Sequence, residues 1–298
     1  MKNKGVILIL LLLIVASCSA ALTMITLWVS KSEEWSNRLY VQNRAYIFIY
    51  TAFKVSKELL KNDSNNYDSR QDIWANIPPM PIRGGDVSIT LIPTNSKIDL
   101  NLLFSSDLKV KKRTEKAILK IFTQYGYEKE MLENLKAWCE KRFEADTYFY
   151  TSRLPPIRPR KTIFYSLKEV DFVKGMSNFS KKFHRFFTVN GSSKININFA
   201  SKEVIESYIP EIEFEIDNLL SYRKKYPFKN ITQIKKIINV SDETYLKIQP
   251  FITTKSDTFI VKILVNIDSY RFIATGIIKR DGKKVKLIKY FEGKGFYG

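Results

Sequence analysis

The sequence predicts an α+β protein, in which a long N-terminal helix packs on an antiparallel sheet and a large, mostly helical domain is inserted between the strands of that sheet. Three observations predict it. An apolar run near the N-terminus continues, without glycine or proline, into an amphipathic segment. Strand-like alternation of polar and apolar residues occurs before residue 100 and returns in long segments after residue 257. The residues between follow mainly the helical period of about 3.6.

The N-terminal residues predict a membrane anchor. Residues 6–30 contain no charged side chain and follow a short basic head that ends in Gly5. This run is longer than the apolar part of a cleaved signal peptide, which covers about 7–15 residues. As a helix it is about 35 Å long, enough to cross a hydrocarbon core of about 30 Å. Because Lys2 and Lys4 precede it and basic residues stay in the cytoplasm, we expect the rest of the chain to be exported.

The same run contains a competing signal for lipidation. Residues 15–18, Val-Ala-Ser-Cys, read as a lipobox, in which Cys18 would carry lipid after cleavage. A lipoprotein normally turns polar after this cysteine, whereas this chain stays apolar up to Val29, and Trp28 suits the outer membrane interface. These features favour a membrane helix, with a lipoprotein as the alternative. Because Cys18 lies in the apolar run, we predict no disulfide with Cys139, which we expect to be a small buried apolar residue.

Charge and composition limit the function classes. The formal net charge of +19 suits either a nucleic-acid or anionic-lipid partner or a lysine-rich solvated surface. The lysines alternate with acids and aromatics, which favours the solvated surface. DNA-binding helical hairpins need a glycine in the turn, and residues 190–230 offer only Gly191. His184 is the only histidine, and we find no paired-carboxylate site, phosphate loop, nucleophile elbow or CxxC motif, so we do not expect an enzyme.

The first elements follow from periodicity. Residues 33–61 have apolar side chains at three- and four-residue spacings, so the membrane helix is expected to continue as an amphipathic stem. Its apolar positions are Trp35, Leu39, Tyr46, Ile49, Tyr50, Phe53 and Leu60. Residues 62–72 are polar and predict a surface loop. Residues 86–93 alternate and predict a half-buried strand.

The later elements are a helical block and a three-stranded end. Helices are expected over residues 115–125, 128–142, 200–209, 212–223 and 231–238, with Ser166 capping another that closes at Gly175. A turn at residues 190–191 separates two short strand-like segments. Residues 259–267, 270–280 and 285–291 predict strands, the last two joined by an Asp-Gly turn. Because separated strands need partners, we expect the early and late strands to form one antiparallel sheet, with the helical block as an insertion.

Several short segments, in this order along the chain, carry a family resemblance. They are residues 97–101 (KIDLN), 166–170 (SLKEV), 187–189 (FTV), 194–200 (KININFA), 222–228 (YR and PF) and 256–259 (S and F). Together with the basic head, the apolar helix and the stem, the chain resembles the general secretion pathway protein K family, the large minor pseudopilin of type II secretion. The resemblance implies a pilin-like fold whose inserted helical domain is SAM-like.

The resemblance also implies processing and domain boundaries. Residues 1–5 would be a leader, cut by a prepilin peptidase between Gly5 and Val6, after which Val6 is N-methylated. Residues 6–30 would be the transmembrane segment, 31–102 the stem and first strand, 103–255 the inserted domain and 256–298 the strands that complete the sheet. Leu10 occupies the position at which most pilin-like proteins carry a glutamate, and the K subunit lacks it.

The function implied is structural. Such a protein caps the short periplasmic pseudopilus, nucleates its assembly with the I- and J-type minor pseudopilins and supports export of folded proteins. Further partners would be the major pseudopilin, the inner-membrane secretion platform and the prepilin peptidase. The protein would lie in the bacterial inner membrane, with a cytoplasmic N-terminus and a periplasmic head. Alternatives are a minor pilin of a type IV or competence pilus with a DNA-binding insert, and a membrane-anchored lipoprotein.

The resemblance implies one possible ion, calcium, and we expect no other cofactor. Related proteins bind it through an acidic segment, which here corresponds to residues 138–146. Glu140, Glu144 and Asp146 are the candidate ligands, while Cys139 and Lys141 depart from the acidic pattern. Calcium takes six to eight oxygen ligands.

Three asparagines and one arginine are expected to have structural roles. Asn101, Asn196 and Asn198 are expected to hold backbone groups in turns and caps. Arg223 is expected to pair with an acid between the inserted helices.

Overall fold

A single helix forms the N-terminal fifth of the chain. The computed structural model describes residues 2–141 and 146–293. Helix α1 runs without interruption from Lys2 to Asn62, 61 residues, which confirms the predicted continuous rod. Side chains 5–40 are exposed, and burial begins at Val41. The buried apolar positions then recur at helical spacing along one face of the stem: Val41, Ala45, Ile49, Ala52, Phe53 and Leu60.

That buried face packs on a five-stranded antiparallel sheet. In the order in which they lie side by side, its strands are β1 (Met80–Ile82), β2 (Gly85–Pro93), β7 (Thr258–Ile267), β8 (Tyr270–Asp281) and β9 (Lys284–Glu292). Strand β2 pairs antiparallel with β7 over its whole length. The predicted meeting of early and late strands is therefore confirmed. Gly276 in β8 lets the helix approach, because a Cβ there would lie 2.6 Å from the ring of Phe53.

The chain leaves this sheet at Pro93 and returns at Thr258, and the residues between form the insert. Its helices are α2 (Leu108–Gln124), α3 (Glu130–Cys139), α4 (Thr147–Thr151), α5 (Phe179–Phe183), α6 (Lys202–Tyr208), α7 (Ile216–Lys225), α8 (Gln233–Ile237) and α9 (Asp242–Ile248). Short 3-10 helices cover Leu100–Phe104, Leu167–Phe172, Pro210–Glu215 and Gln249–Phe251, and others cover Ile73–Ala75 and Thr94–Ser96. Ser166 caps the second of these by accepting from the amide of Lys168.

Two short parallel strand pairs lie in the insert. Strand β3 (Ile98–Asp99) pairs with β4 (Phe187–Thr188), and β5 (Ile195–Asn196) pairs with β6 (Ile252–Thr253). The segments on either side of the turn at residues 190–191 are therefore partners of distant strands and not of each other. Local patterning predicts an extended conformation but does not choose between near and distant partners.

The insert has its own hydrophobic core, separate from the core between stem and sheet. A cluster of aromatic rings lies at its centre: Phe122, Phe179, Phe183, Phe186 and Phe187. Ile98 and Leu100, which precede the expected boundary at residue 103, pack in this second core. Apolar periodicity reports that a residue is buried, but not in which of two cores it is buried.

The half-buried Asn101 and the buried Asn198 hold loop backbone in place, as predicted. The side-chain amide of Asn101 donates to the carbonyls of Phe164 and Val189, and that of Asn198 donates to the carbonyls of Asp68 and Phe228. Each side-chain oxygen accepts a backbone N–H in return. Both polar atoms of each side-chain amide are therefore hydrogen-bonded, which stabilises the surrounding loops.

The expectation for Arg223 is wrong. Its guanidinium donates to the carbonyl of Ile197 at 2.6 Å, and within residues 2–141 and 146–293 it forms no ion pair with an acid. A guanidinium has five donors and binds a backbone carbonyl well. Sequence spacing between inserted helices does not distinguish these two acceptors.

Candidate assembly surface

The N-terminal part of α1 is apolar, and no other element of residues 2–141 and 146–293 covers it. In the described residues it is the one helix long and apolar enough to cross a membrane. Its side chains are exposed on all sides from residue 5 to residue 40. An apolar helix that is exposed all round requires lipid or other helices around it.

The residues of the expected processing site lie at the start of this helix. Val6 is 62% exposed and Leu10 is 58% exposed. A carboxylate at the position of Leu10 would be a charge at membrane depth, and residues 6–30 of the sequence contain no basic residue to pair with it. Cleavage after Gly5 and methylation of Val6 stay predictions.

The stem beyond the membrane segment carries a second apolar surface, which we call the stem stripe. It consists of Trp35, Leu39, Tyr46 and Tyr50, whose spacings of four and seven residues place them along one side of the helix. Their exposed fractions are 64%, 53%, 38% and 63%. The sequence grouped them with Ile49, Phe53 and Leu60. The structure separates the two sets, because the sheet buries the latter, whereas the stripe stays exposed and its Tyr46 hydroxyl donates to Glu292 of β9 at 3.2 Å.

The candidate calcium ligands are only partly described. Glu140 follows the end of α3. Asp146 caps α4 by accepting from the amide of Phe149 at 2.9 Å, and it also pairs with the Lys174 ammonium at 2.9 Å. These bonds to Phe149 and Lys174 lower the pKa of the Asp146 carboxyl. Glu144 lies outside the described residues, so calcium binding here stays a prediction.

Another acidic cluster, which the sequence analysis missed, joins stem, insert and sheet. Oxygens of Asp63, Asp68 and Asp72 lie within 4.8 Å of one another. The cluster already has cations. The Arg280 guanidinium binds Asp68 through two oxygens at 2.6 and 2.8 Å and binds Asp63 at 2.7 Å, while the Lys255 ammonium lies 3.5 Å from Asp63.

This cluster corrects the expectation of a surface loop over residues 62–72. Asp68 is fully buried and Ser69 is 2% exposed. Ser256 extends the network, because its amide donates to Asp68 and its hydroxyl bonds to Asn95. The available sequence signal was a group of aspartates after the stem together with an arginine inside a strand pattern, and neither specifies the other.

The surroundings of Cys139 and of His184 shift the pKa of each side chain. Cys139 is 4% exposed, and its burial raises the pKa of the thiol to about 12, as expected for a small buried apolar residue. The imidazole Nδ1 of His184 lies 2.9 Å from the carbonyl of Lys181. Burial lowers the pKa of His184, and the nearby charges of Lys97 and Lys262 lower it further. A buried thiol with a raised pKa is a poor nucleophile.

The fold defines the class: a pilin-like rod and antiparallel sheet with a large helical insertion. Among solved structures, a chain of the GspK-GspI-GspJ complex from the enterotoxigenic Escherichia coli type 2 secretion system has this fold. The two superpose with a TM-score of 0.72 at 14% identity, over 87% of this chain and 99% of that chain. The resemblance inferred from the sequence is thereby confirmed in the fold. The sequence matches no protein-family model and no curated protein.

Proposed function

We propose that this protein is a minor pseudopilin at the tip of a type II secretion pseudopilus. There it would nucleate pseudopilus assembly together with I- and J-type minor pseudopilins and support the export of folded proteins. The observation that carries the proposal is one uninterrupted helix, exposed over its apolar N-terminal part, joined to a head with the fold of a chain from the GspK-GspI-GspJ complex. The role is structural, not catalytic.

The size of the head supports the tip position. The insert lies between β2 and β7 and has its own core. In a helically repeating filament, such a domain would have to fit below the next subunit, whereas at the tip it has none above it. Leu10 suits the same position, because a tip subunit has no upper neighbour whose amino group could pair with a carboxylate there.

The stem stripe supports lateral association. Large side chains such as Trp35 and Tyr50 remain exposed on a helix that buries a neighbouring face against the sheet from Val41 onwards. Exposed aromatic residues in a continuous stripe mark contact surfaces with other proteins. In the proposed assembly, the stems of the partner minor pseudopilins and of the major pseudopilin would cover this stripe, while the inner-membrane platform would support the helix from below.

Processing of the N-terminus is expected to distinguish a pseudopilin from a lipoprotein. Mass spectrometry of the purified protein should find a mature chain that begins with N-methylated Val6, in a single-pass inner-membrane protein with a periplasmic head. Replacing Gly5 by leucine should leave the leader attached, because the peptidase needs the small residue before the cut, whereas Cys18→Ala should change nothing. A diacylglyceryl group on Cys18, or an unprocessed wild-type chain, would contradict the proposal.

The stem stripe is expected to contribute to partner binding. The double variant Trp35→Ala/Tyr50→Ala should weaken co-purification with the I- and J-type partners by at least about tenfold, since buried aromatic residues at interfaces carry about 2 kcal/mol or more each. Secretion of a folded exoprotein by a complemented deletion strain should fall in parallel.

The matched control for the stripe is Phe214→Ala/Leu154→Ala. These two residues are 98% and 97% exposed and lie in the insert. The control should bind partners and support secretion as the wild type does. Equal losses in both variants, or no loss in the stripe variant, would count against stem packing.

A further inference from the structure

A groove of about 880 Å³ crosses one side of the insert. All the residues that line it belong to the insert, and none belongs to α1 or to the five-stranded sheet. We propose that this groove binds an extended acidic segment of a partner protein, which places carboxylates against a row of lysines and an apolar side chain against Leu246 and Phe251. This inference concerns a second surface and does not depend on the stem contacts of the proposed assembly.

The floor of the groove is tied together by the contacts of Arg113, whose charge is balanced by Glu211. The Arg113 guanidinium binds both oxygens of Glu211, at 2.5 and 3.0 Å, and donates to the carbonyl of Tyr208 at 2.7 Å. It also stacks on the ring of Phe251, 4.0 Å from the ring centroid. These contacts hold α2 against α6 and against the segment after α9, so the groove exists before any ligand arrives.

One wall of the groove carries unbalanced positive charge. Lys109, Lys112 and Lys116 are exposed and recur on one face of α2, over about 10 Å of the helix axis. None of the three forms an ion pair or a side-chain hydrogen bond with any residue in the described ranges 2–141 and 146–293. The acids that line the groove have other roles. Asp107 caps α2, Glu211 binds Arg113, and Glu243 binds Lys247.

The other wall is apolar. Leu246 on α9 is 66% exposed, and it lines the groove together with Pro210, Pro250 and Phe251. A leucine exposed to this degree opposite three unpaired lysines matches a ligand that is both acidic and partly apolar. The row of lysines along α2 is as long as about three residues of an extended peptide, at about 3.3 Å per residue.

The geometry favours a peptide over the other polyanions. A flat bilayer surface cannot reach the floor of a concave groove. A nucleic-acid backbone would bring its phosphates close to Asp107, Glu211 and Glu243 as well as to the lysines. A peptide can place its carboxylates on α2 and direct an apolar side chain towards Leu246.

The test measures binding of a fluorescent peptide to the full chain in detergent micelles. The probe is Glu-Asp-Leu-Glu-Asp, and its neutral counterpart is Gln-Asn-Leu-Gln-Asn. The acidic peptide should bind and weaken as salt is raised, while the neutral one should bind at least about tenfold more weakly. The triple variant Lys109→Glu/Lys112→Glu/Lys116→Glu should weaken binding by about tenfold or more, since each exposed pair contributes modestly. Leu246→Ala should weaken it about threefold.

A control variant distinguishes the effect of the groove lysines from the effect of a lower net charge. Lys283→Glu/Lys284→Glu/Lys286→Glu changes the charge equally at the exposed β8–β9 hairpin, and it should bind the acidic peptide within about twofold of the wild type. Equal weakening by both triple variants would overturn the proposal, as would absence of binding at low salt. Tighter binding of a DNA duplex or of anionic vesicles than of the peptide, lost in the groove variant, would also overturn it. Both triple variants should unfold at the same temperature as the wild type, which shows that any loss of binding is not a loss of folding.

Discussion

Replacing Arg280 by methionine is expected to lower the free energy of unfolding by about 3–5 kcal/mol, the cost of leaving buried carboxylates without their cation. Arg280 is 4% exposed and is the main partner of Asp68, which is fully buried, and of Asp63. It also donates to the carbonyl of Ser256 at 2.6 Å. Urea denaturation of the full chain in micelles, followed by tryptophan fluorescence, measures the change.

The matched control is Arg271→Met, which removes an exposed arginine from the same strand. It should change the free energy of unfolding by less than about 0.5 kcal/mol. In a double-mutant cycle, Arg280→Met and Asp68→Asn should together cost clearly less than the sum of the two, because each removes the other's partner. A loss for Arg280→Met no larger than that of the control would show that the network is not stabilising.

Replacing Lys97 by methionine is expected to stabilise the protein by about 3 kcal/mol below about pH 7. Lys97 is 5% exposed, and its ammonium has no acid or hydrogen-bond acceptor within reach among residues 2–141 and 146–293. Burial, and then the charge of Lys262, lower the pKa of Lys97 to about 7. Methionine has a similar volume and no charge to bury, so the packing around it is retained.

The pH dependence of this effect has a definite sign. Because the folded pKa of Lys97 is below that of the unfolded chain, the unfolded state binds more protons between about pH 7 and pH 10.5. Wild-type stability should therefore rise with pH across this window relative to the variant. The difference between Lys97→Met and the wild type should be largest below about pH 7 and nearly gone by about pH 10.5.

Denaturation of both proteins across this pH range checks the prediction, and Lys284→Met, at an exposed position in β9, is the control. Groups other than Lys97 titrate in both proteins and largely cancel in the difference. Lys262 and His184, which face Lys97, are the exceptions, and removing its charge should raise their pKa values. A difference that is constant with pH would mean that Lys97 is not a buried charge in the folded protein.

Sequence reasoning was most reliable for long elements. The rod of α1 follows from an apolar run and a helical period with no breaker, and the union of β2 with β7 follows from the requirement that isolated strands find partners. Asn101 and Asn198 were assigned correctly, because a short amide side chain next to strand-like residues binds backbone whatever the fold around it.

Sequence reasoning failed where the partner is far away in the chain. Asp68 and Arg280 are separated by most of the protein, and a polar loop next to a stem is normally at the surface. The acceptor of Arg223 is a backbone carbonyl, a group that every residue carries, so the sequence does not single out Ile197. The parallel pairs β3–β4 and β5–β6 also join distant segments, which no local pattern specifies.

By itself the sequence determined a membrane-length helix, a stem with apolar stripes, an early and a late group of strands and a helical insert, because hydrophobic period and turn chemistry act over neighbouring residues. Only the tertiary structure decided which stem residues the sheet covers and which remain for partners, which charges are buried together, and where α2 and α9 leave a groove. These features depend on contacts between residues that are far apart in the sequence. Such a contact contributes to stability only after folding has brought both residues together, so no local pattern specifies it.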